Sequence, residues 1–175
     1  MTRPTIVGRW RIDLDARPGV PRIVPGGVLA RLAGAALDAA VPPAFPPSSL
    51  GVILTDDAEL ARLNGDHMGK RGPTDVLSFP LLAPSSFAPD APPPVVPRPP
   101  RARLHLGDIV VSVERAVAQA ASGRGGQTGD VRWSAASELR LLLVHGVLHV
   151  CGYDHGEPDD ERAMRALELA ILIRR

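Results

Sequence analysis

Three of the chain's five histidines fall within eleven residues, at His145, His149 and His155. Residues four apart on a helix share one face, so His145 and His149 can aim two imidazoles at one point. Gly152 can take the left-handed conformation that ends a helix, which lets the chain turn back and bring His155 to the same place. Three neutral imidazoles with an open fourth position make the ligand set of a catalytic zinc site: one Zn2+ ion, three histidines and a water. One buried imidazole is ordinarily a satisfied core residue. Three at this spacing, with a glycine in the turn, point to metal.

Zinc peptidases of the pattern H-E-x-x-H-x-x-G-x-x-H have the same spacing. Here Gly146 stands where their glutamate serves as general base, so a peptidase mechanism loses its base. A gap at Gly146 would instead admit a larger group, such as a phosphodiester. An ion that lowers the pKa of its water to ~7 needs no strong partner base. Asp154 is the nearest carboxylate, either as a base or, the favoured reading, as a support that orients a ligand imidazole. Cys151 reads as a small buried hydrophobe.

These residues need a frame. From Leu141 to Cys151 the sequence is apolar on nearly all sides except at the histidines, which describes a buried helix, opened at Trp133 or Ser134. Glu157 to Glu161 then forms an acidic helix start with Pro158 in the first turn, and Met164, Leu167, Leu169, Ile171 and Leu172 supply its packing face. Upstream, Thr5 to Leu14 reads as one half-buried strand, with Trp10, Ile12 and Leu14 on one face. A helix over Val28 to Val41 stops at Pro42, and Leu50 to Leu54 is a buried strand. Asp56 and Glu59 have capping-box spacing for a short helix through Leu60 and Leu63. Asn64 to Pro73, with three glycines, reads as an exposed loop. Strands follow at Thr74 to Phe79 and Leu106 to Ser112, and Ser112 caps a helix over Val113 to Ala121. Gly123 to Gly129 is a flexible connection.

Between the last two strands, the prolines from about Leu81 to Leu104 are too dense for a helix or central strand, so this stretch is a surface insertion. Its arginines, Arg98, Arg101 and Arg103, are more simply solvated charges than phosphate contacts. The expected fold is α+β: a small mixed four-stranded sheet packed with about five helices, in a single domain over residues 1–175.

At 175 residues, 45% apolar and 22% charged, the chain has the size and composition of one globular domain. A net charge of +1 gives no broad basic field. Lys70 is the only lysine. Cys151, the only cysteine, excludes an intrachain disulfide and fits a reducing cytoplasm. No apolar run approaches the ~20 residues of a membrane span, and the N-terminal stretch lacks a signal-peptide pattern. The chain reads as a cytoplasmic protein with no membrane association.

Together with two other stretches, the histidine segment resembles the YbeY family of bacterial rRNA maturation factors. The second stretch is Leu63-Asn64, Gly69-Lys70 and Pro73-Thr74-Asp75-Val76-Leu77-Ser78-Phe79-Pro80. The third is Leu106-Gly107-Asp108-Ile109-Val110 with Gln119-Ala120. Met164 and Glu168 also fall on the family pattern, and the likeness runs from about Leu50 to Leu172, the Pro-rich insertion apart. The resemblance implies a metal-dependent endoribonuclease with a zinc-type ion on His145, His149 and His155. It also implies cleavage of single-stranded RNA, in maturation of the 3′ end of small-subunit (16S) ribosomal RNA and in ribosome quality control. Implied partners are ribosomal RNA, the small ribosomal subunit and an assembly GTPase. An assembly factor with a mainly structural metal is the alternative, opposed by the open position of a three-ligand site.

One departure stands out. Many members carry an arginine two residues before the lysine of the G-K pair, and the resemblance implies that it meets RNA phosphate; here that residue is Met68. Either Lys70 or Arg71, in the same loop, replaces it, or both are plain surface charges.

Overall fold

The computed structural model describes residues 3–100, 102–122 and 133–173. Gly123 to Gly129 and Arg101, read above as a connection and a surface charge, lie outside the described residues. The sheet has five strands, one more than expected. Thr5 to Leu14 is a hairpin of β1 (Thr5–Val7) and β2 (Trp10–Ala16), with Val7 opposite Trp10. Gly8 turns the chain at φ 56°, a conformation glycine adopts without the Cβ penalty. The turn shifts the alternation by one residue, so Val7 shares a face with Trp10. Only the three residues before the turn carry that shift, and the regular pattern from Trp10 to Leu14 makes the stretch read as one strand.

Helix α1 (Gly26–Ala40) crosses over to β3 (Ser48–Thr55), which runs parallel to β2. Helix α2 (Asp57–Met68) follows, and Asp56 accepts the Glu59 amide at 2.8 Å. The Glu59 carboxylate does not close the capping box; it takes Arg17 and Thr55 instead. The helix continues through Asn64 to Met68, so the expected loop begins only at Gly69. Asn64 is buried and donates to the Gly72 carbonyl at 2.9 Å, tying that loop down. Strands β4 (Val76–Pro80) and β5 (Leu104–Ser112) pair antiparallel, and β5 lies parallel to β3, giving the order β1-β2-β3-β5-β4.

The Pro-rich stretch between them is not wholly solvated. A short 3-10 turn at Pro84–Phe87 buries Phe87, which stacks on Phe45 with ring centroids 5.4 Å apart. Ser112 caps α3 (Val113–Ala121) by accepting the Arg115 amide. Ser134, not Trp133, caps α4 (Ala135–Val150), and α5 (Pro158–Ile173) follows. On β5, Ile109 and Val111 face the main core with Leu143 and Val147 of α4, while Val110 points to the other face with Leu60 and Leu77. Helix α4 therefore lies against β5 and the edge strand β4, and also meets α1, α3 and α5. Among the described residues no helix is long and apolar enough to cross a membrane.

Candidate metal centre

The end of α4 delivers the histidines. Gly152 sits at φ 85°, its amide reaching the His149 carbonyl at 3.0 Å, while the Tyr153 amide reaches the Leu148 carbonyl at 3.0 Å. This paired closure satisfies the last helical carbonyls and reverses the chain. A Cβ on Gly152 would also meet Pro84 Cα at 2.7 Å, so the Pro-rich stretch braces the turn from behind. Asp154 is exposed and accepts the His155 backbone amide at 2.8 Å, holding the turn rather than an imidazole.

The three rings converge. Their centroids lie 4.5 Å (His145–His149), 5.0 Å (His149–His155) and 5.5 Å (His145–His155) apart. One ligand atom from each falls within 4.8 Å of the others, and Nε2 of His145 and Nε2 of His149 are 3.0 Å apart. His145 and His149 are part-buried and His155 is exposed, so the site opens to solvent on one side. These three side chains could hold one metal ion. The donor chemistry fits: burial and the two neighbouring imidazoles depress the His149 pKa, favouring the neutral ring that binds metal. A hydrogen bond with the Tyr153 backbone opposes that shift.

The carboxylate that orients an imidazole is Glu168 of α5. It is 6% exposed, and its Oε1 lies 2.8 Å from Nδ1 of His145, turning Nε2 toward the other rings. Glu168 was visible in the sequence as part of a motif, but nothing local assigns it this contact, 23 residues from its partner. Ser78 is a second contributor that only the fold reveals. Its hydroxyl donates to the Gly146 carbonyl at 3.1 Å, pinning β4 to α4 one residue past His145.

Gly146 is not a gap beside the site. It faces the sheet, where a Cβ would stand 2.6 Å from Ile109 Cγ2 and 3.2 Å from Val76 Cγ2. Glycine is required there because helix and sheet approach closely. A glutamate would not fit, so the absence of a peptidase base has a packing cause. Cys151 is buried, and burial pushes its thiol up to about 12, as befits an inert packing residue. Lys70 and Arg71 are exposed in the loop after α2, and Met68 is 47% exposed at its end.

Residues 30–174 match the family described as endoribonuclease YbeY. An endoribonuclease YbeY of Roseiflexus castenholzii is 45% identical over 127 residues, covering 72% of this chain and 69% of the relative. One from Mycolicibacterium paratuberculosis is 43% identical over 129 residues, covering 73% of this chain and 64% of the relative. Among solved structures, the solution structure of a Thermotoga maritima protein matches with TM-score 0.50 and 22% identity, over 92% of this chain and 86% of that one. That likeness concerns the fold. The chain belongs to the endoribonuclease YbeY family.

Proposed function

We infer that this protein is a metal-dependent endoribonuclease that cuts single-stranded RNA during maturation of the 3′ end of small-subunit ribosomal RNA. The observation that carries this reading is the convergence of three imidazoles on one solvent-open point, with a buried carboxylate behind the first. His145, His149 and His155 would hold the ion, and an all-nitrogen set of three favours zinc. When bound, the ion supplies Lewis acidity toward a phosphoryl oxygen and lowers the pKa of its water.

The chain's own residues do the positioning. Glu168 fixes the His145 ring, the closed helix end fixes His149, and Asp154 with Gly152 fixes the backbone that carries His155. Lys70 and Arg71 are the cations we assign to RNA phosphate, in place of the arginine that Met68 replaces. The small ribosomal subunit and an assembly GTPase are the proposed partners, in the cytoplasm, with the chain acting as one catalytic unit.

The test is cleavage of a small-subunit rRNA precursor by the wild type and by His149→Ala, with metal measured in both. Wild type should cut and the variant should lose metal and cutting together. Replacing Lys70 and Arg71 by alanine should weaken RNA binding and flatten its salt dependence by ~1 per lost phosphate contact, with metal retained. Unchanged binding would leave them as surface charges.

A further inference from the structure

A cavity of about 290 Å³ opens beside the histidines, between α4 and α5, and His145 and His155 form one of its walls. Helix α5 lines it with Glu161, Met164, Arg165 and Glu168, at the i, i+3, i+4 and i+7 spacing of one helical face. Met164 and Glu168 are buried, whereas the Arg165 side chain is 52% exposed, so the guanidinium belongs to the open side of the cavity. Among the described residues lining the cavity, Arg165 is the only one with a permanent positive charge.

A guanidinium on the rim of a cation site repels the cation unless something negative lies between them. Glu161 now fills that role, with Oε1 at 2.7 Å from Arg165 Nη2, in a pair four residues apart on the helix and about half exposed on both sides. Exposed pairs of this kind hold weakly, so Arg165 can exchange its partner at small cost. The other carboxylates of the lining are engaged elsewhere. Glu168 takes His145 at 2.8 Å, Glu138 takes the Trp133 indole and Asp75 takes the Gln119 amide at 3.0 Å. Divalent charge on the three histidines would be the largest local charge in the cavity. An anion reaching both that charge and the guanidinium would relieve their repulsion.

We propose that Arg165 is a substrate-binding residue that takes an RNA phosphate beside the cleaved bond, exchanging Glu161 for that phosphate as the strand enters. The inference rests on reading the protein as a ribonuclease. A guanidinium offers two parallel N–H groups to two phosphate oxygens, a match an ammonium lacks. Lys70 and Arg71 lie in the loop after α2 and do not line this cavity, so any phosphate they meet is a different one.

The experiment uses the full chain loaded with zinc and a set of short single-stranded RNAs, each with one phosphate made neutral as a methylphosphonate. Affinity is read by fluorescence anisotropy at several salt concentrations, and cleavage of the unmodified RNA is mapped alongside. With wild type, neutralising one particular phosphate beside the cut should weaken binding roughly 10-fold, as for loss of a charge-assisted hydrogen bond. Arg165→Met should lose a similar factor on unmodified RNA, flatten the salt dependence by roughly 0.7, and stop distinguishing that methylphosphonate from its parent. Arg165→Lys should restore the salt dependence while binding less tightly than wild type. Glu161→Gln should tighten binding about 2- to 3-fold, because the competing partner is gone. Metal content should stay at the wild-type level in all three variants. The proposal is overturned if Arg165→Met binds like wild type, keeps its sensitivity to that methylphosphonate, or loses metal. It is equally overturned if Arg165→Lys shares the flattened salt dependence or if Glu161→Gln weakens binding as Arg165→Met does. The expected binding pattern without any cleavage by wild type would sink the ribonuclease reading and leave the phosphate contact standing.

Discussion

Among the described residues, two regions set an imidazole against a carboxylate, and only one of them is a candidate metal centre. At the end of α4, Glu168 takes Nδ1 of His145, with side chains 8% and 27% exposed. On the sheet, Asp108 takes Nε2 of His105 at 3.2 Å, with side chains 47% and 37% exposed. The difference lies in the second nitrogen. His145 directs it at His149, with His155 close by. His105 spends it on Ser49 Oγ at 3.0 Å, which closes the cluster on itself. A carboxylate partner does not make a histidine a ligand. A second nitrogen aimed at convergent imidazoles, in a half-dried site, is what makes His145 a candidate ligand.

The largest effect should come from the histidines themselves. His145→Ala or His155→Ala should remove bound metal and lower RNA cleavage by ~10³-fold or more, since the ion supplies several kcal/mol. His105→Ala should leave both quantities at wild-type level, as elemental analysis and a cleavage assay would show. Metal loss in the His105 variant would break the comparison.

Next in size, Glu168→Gln should weaken metal affinity by about 10- to 100-fold in a chelator competition. Asp108→Asn should not weaken it. Equal losses in both variants would mean that Glu168 acts through general charge rather than through the His145 ring.

Gly146→Ala tests the scaffold beneath the first region. Its Cβ would crowd Ile109 and Val76, and such overpacking costs about 1–3 kcal/mol, readable as a lower unfolding temperature. An unchanged unfolding temperature would mean that helix and sheet can separate at no cost.

The smallest effect is on acid stability. In the metal-free fold the His149 pKa lies below its ordinary value of 6.5. The unfolded chain therefore binds that proton more readily. This contribution to stability is whole above pH 6.5 and is lost as pH falls through the folded pKa. His149→Asn should flatten the fall in stability below pH 6.5, measured by urea unfolding of metal-free protein.

The histidine centre was largely legible because it is local. One helical turn and one glycine turn place all three rings, and both follow from spacing. Glu168 and Ser78 carried motif signals but no roles, because their contacts cross from α5 and β4 and depend on packing. Gly146 was misread as an opening. Sequence places it a step around the helix from His145 without saying on which side the sheet lies. The β1–β2 hairpin was hidden because β1 is only three residues long, too short for the change of phase at Gly8 to show against the regular pattern of β2. Pro84 and Phe87 were hidden by a composition that describes the rest of their segment well.

If the convergent imidazoles hold the catalytic ion, RNA cleavage by this chain depends on metal. The most direct measurement strips the wild-type protein with a chelator, verifies that metal is gone, and follows cleavage of single-stranded RNA before and after zinc is restored. Cleavage should vanish with the metal and return with about one ion per chain. Undiminished cleavage by verified metal-free protein would contradict the account.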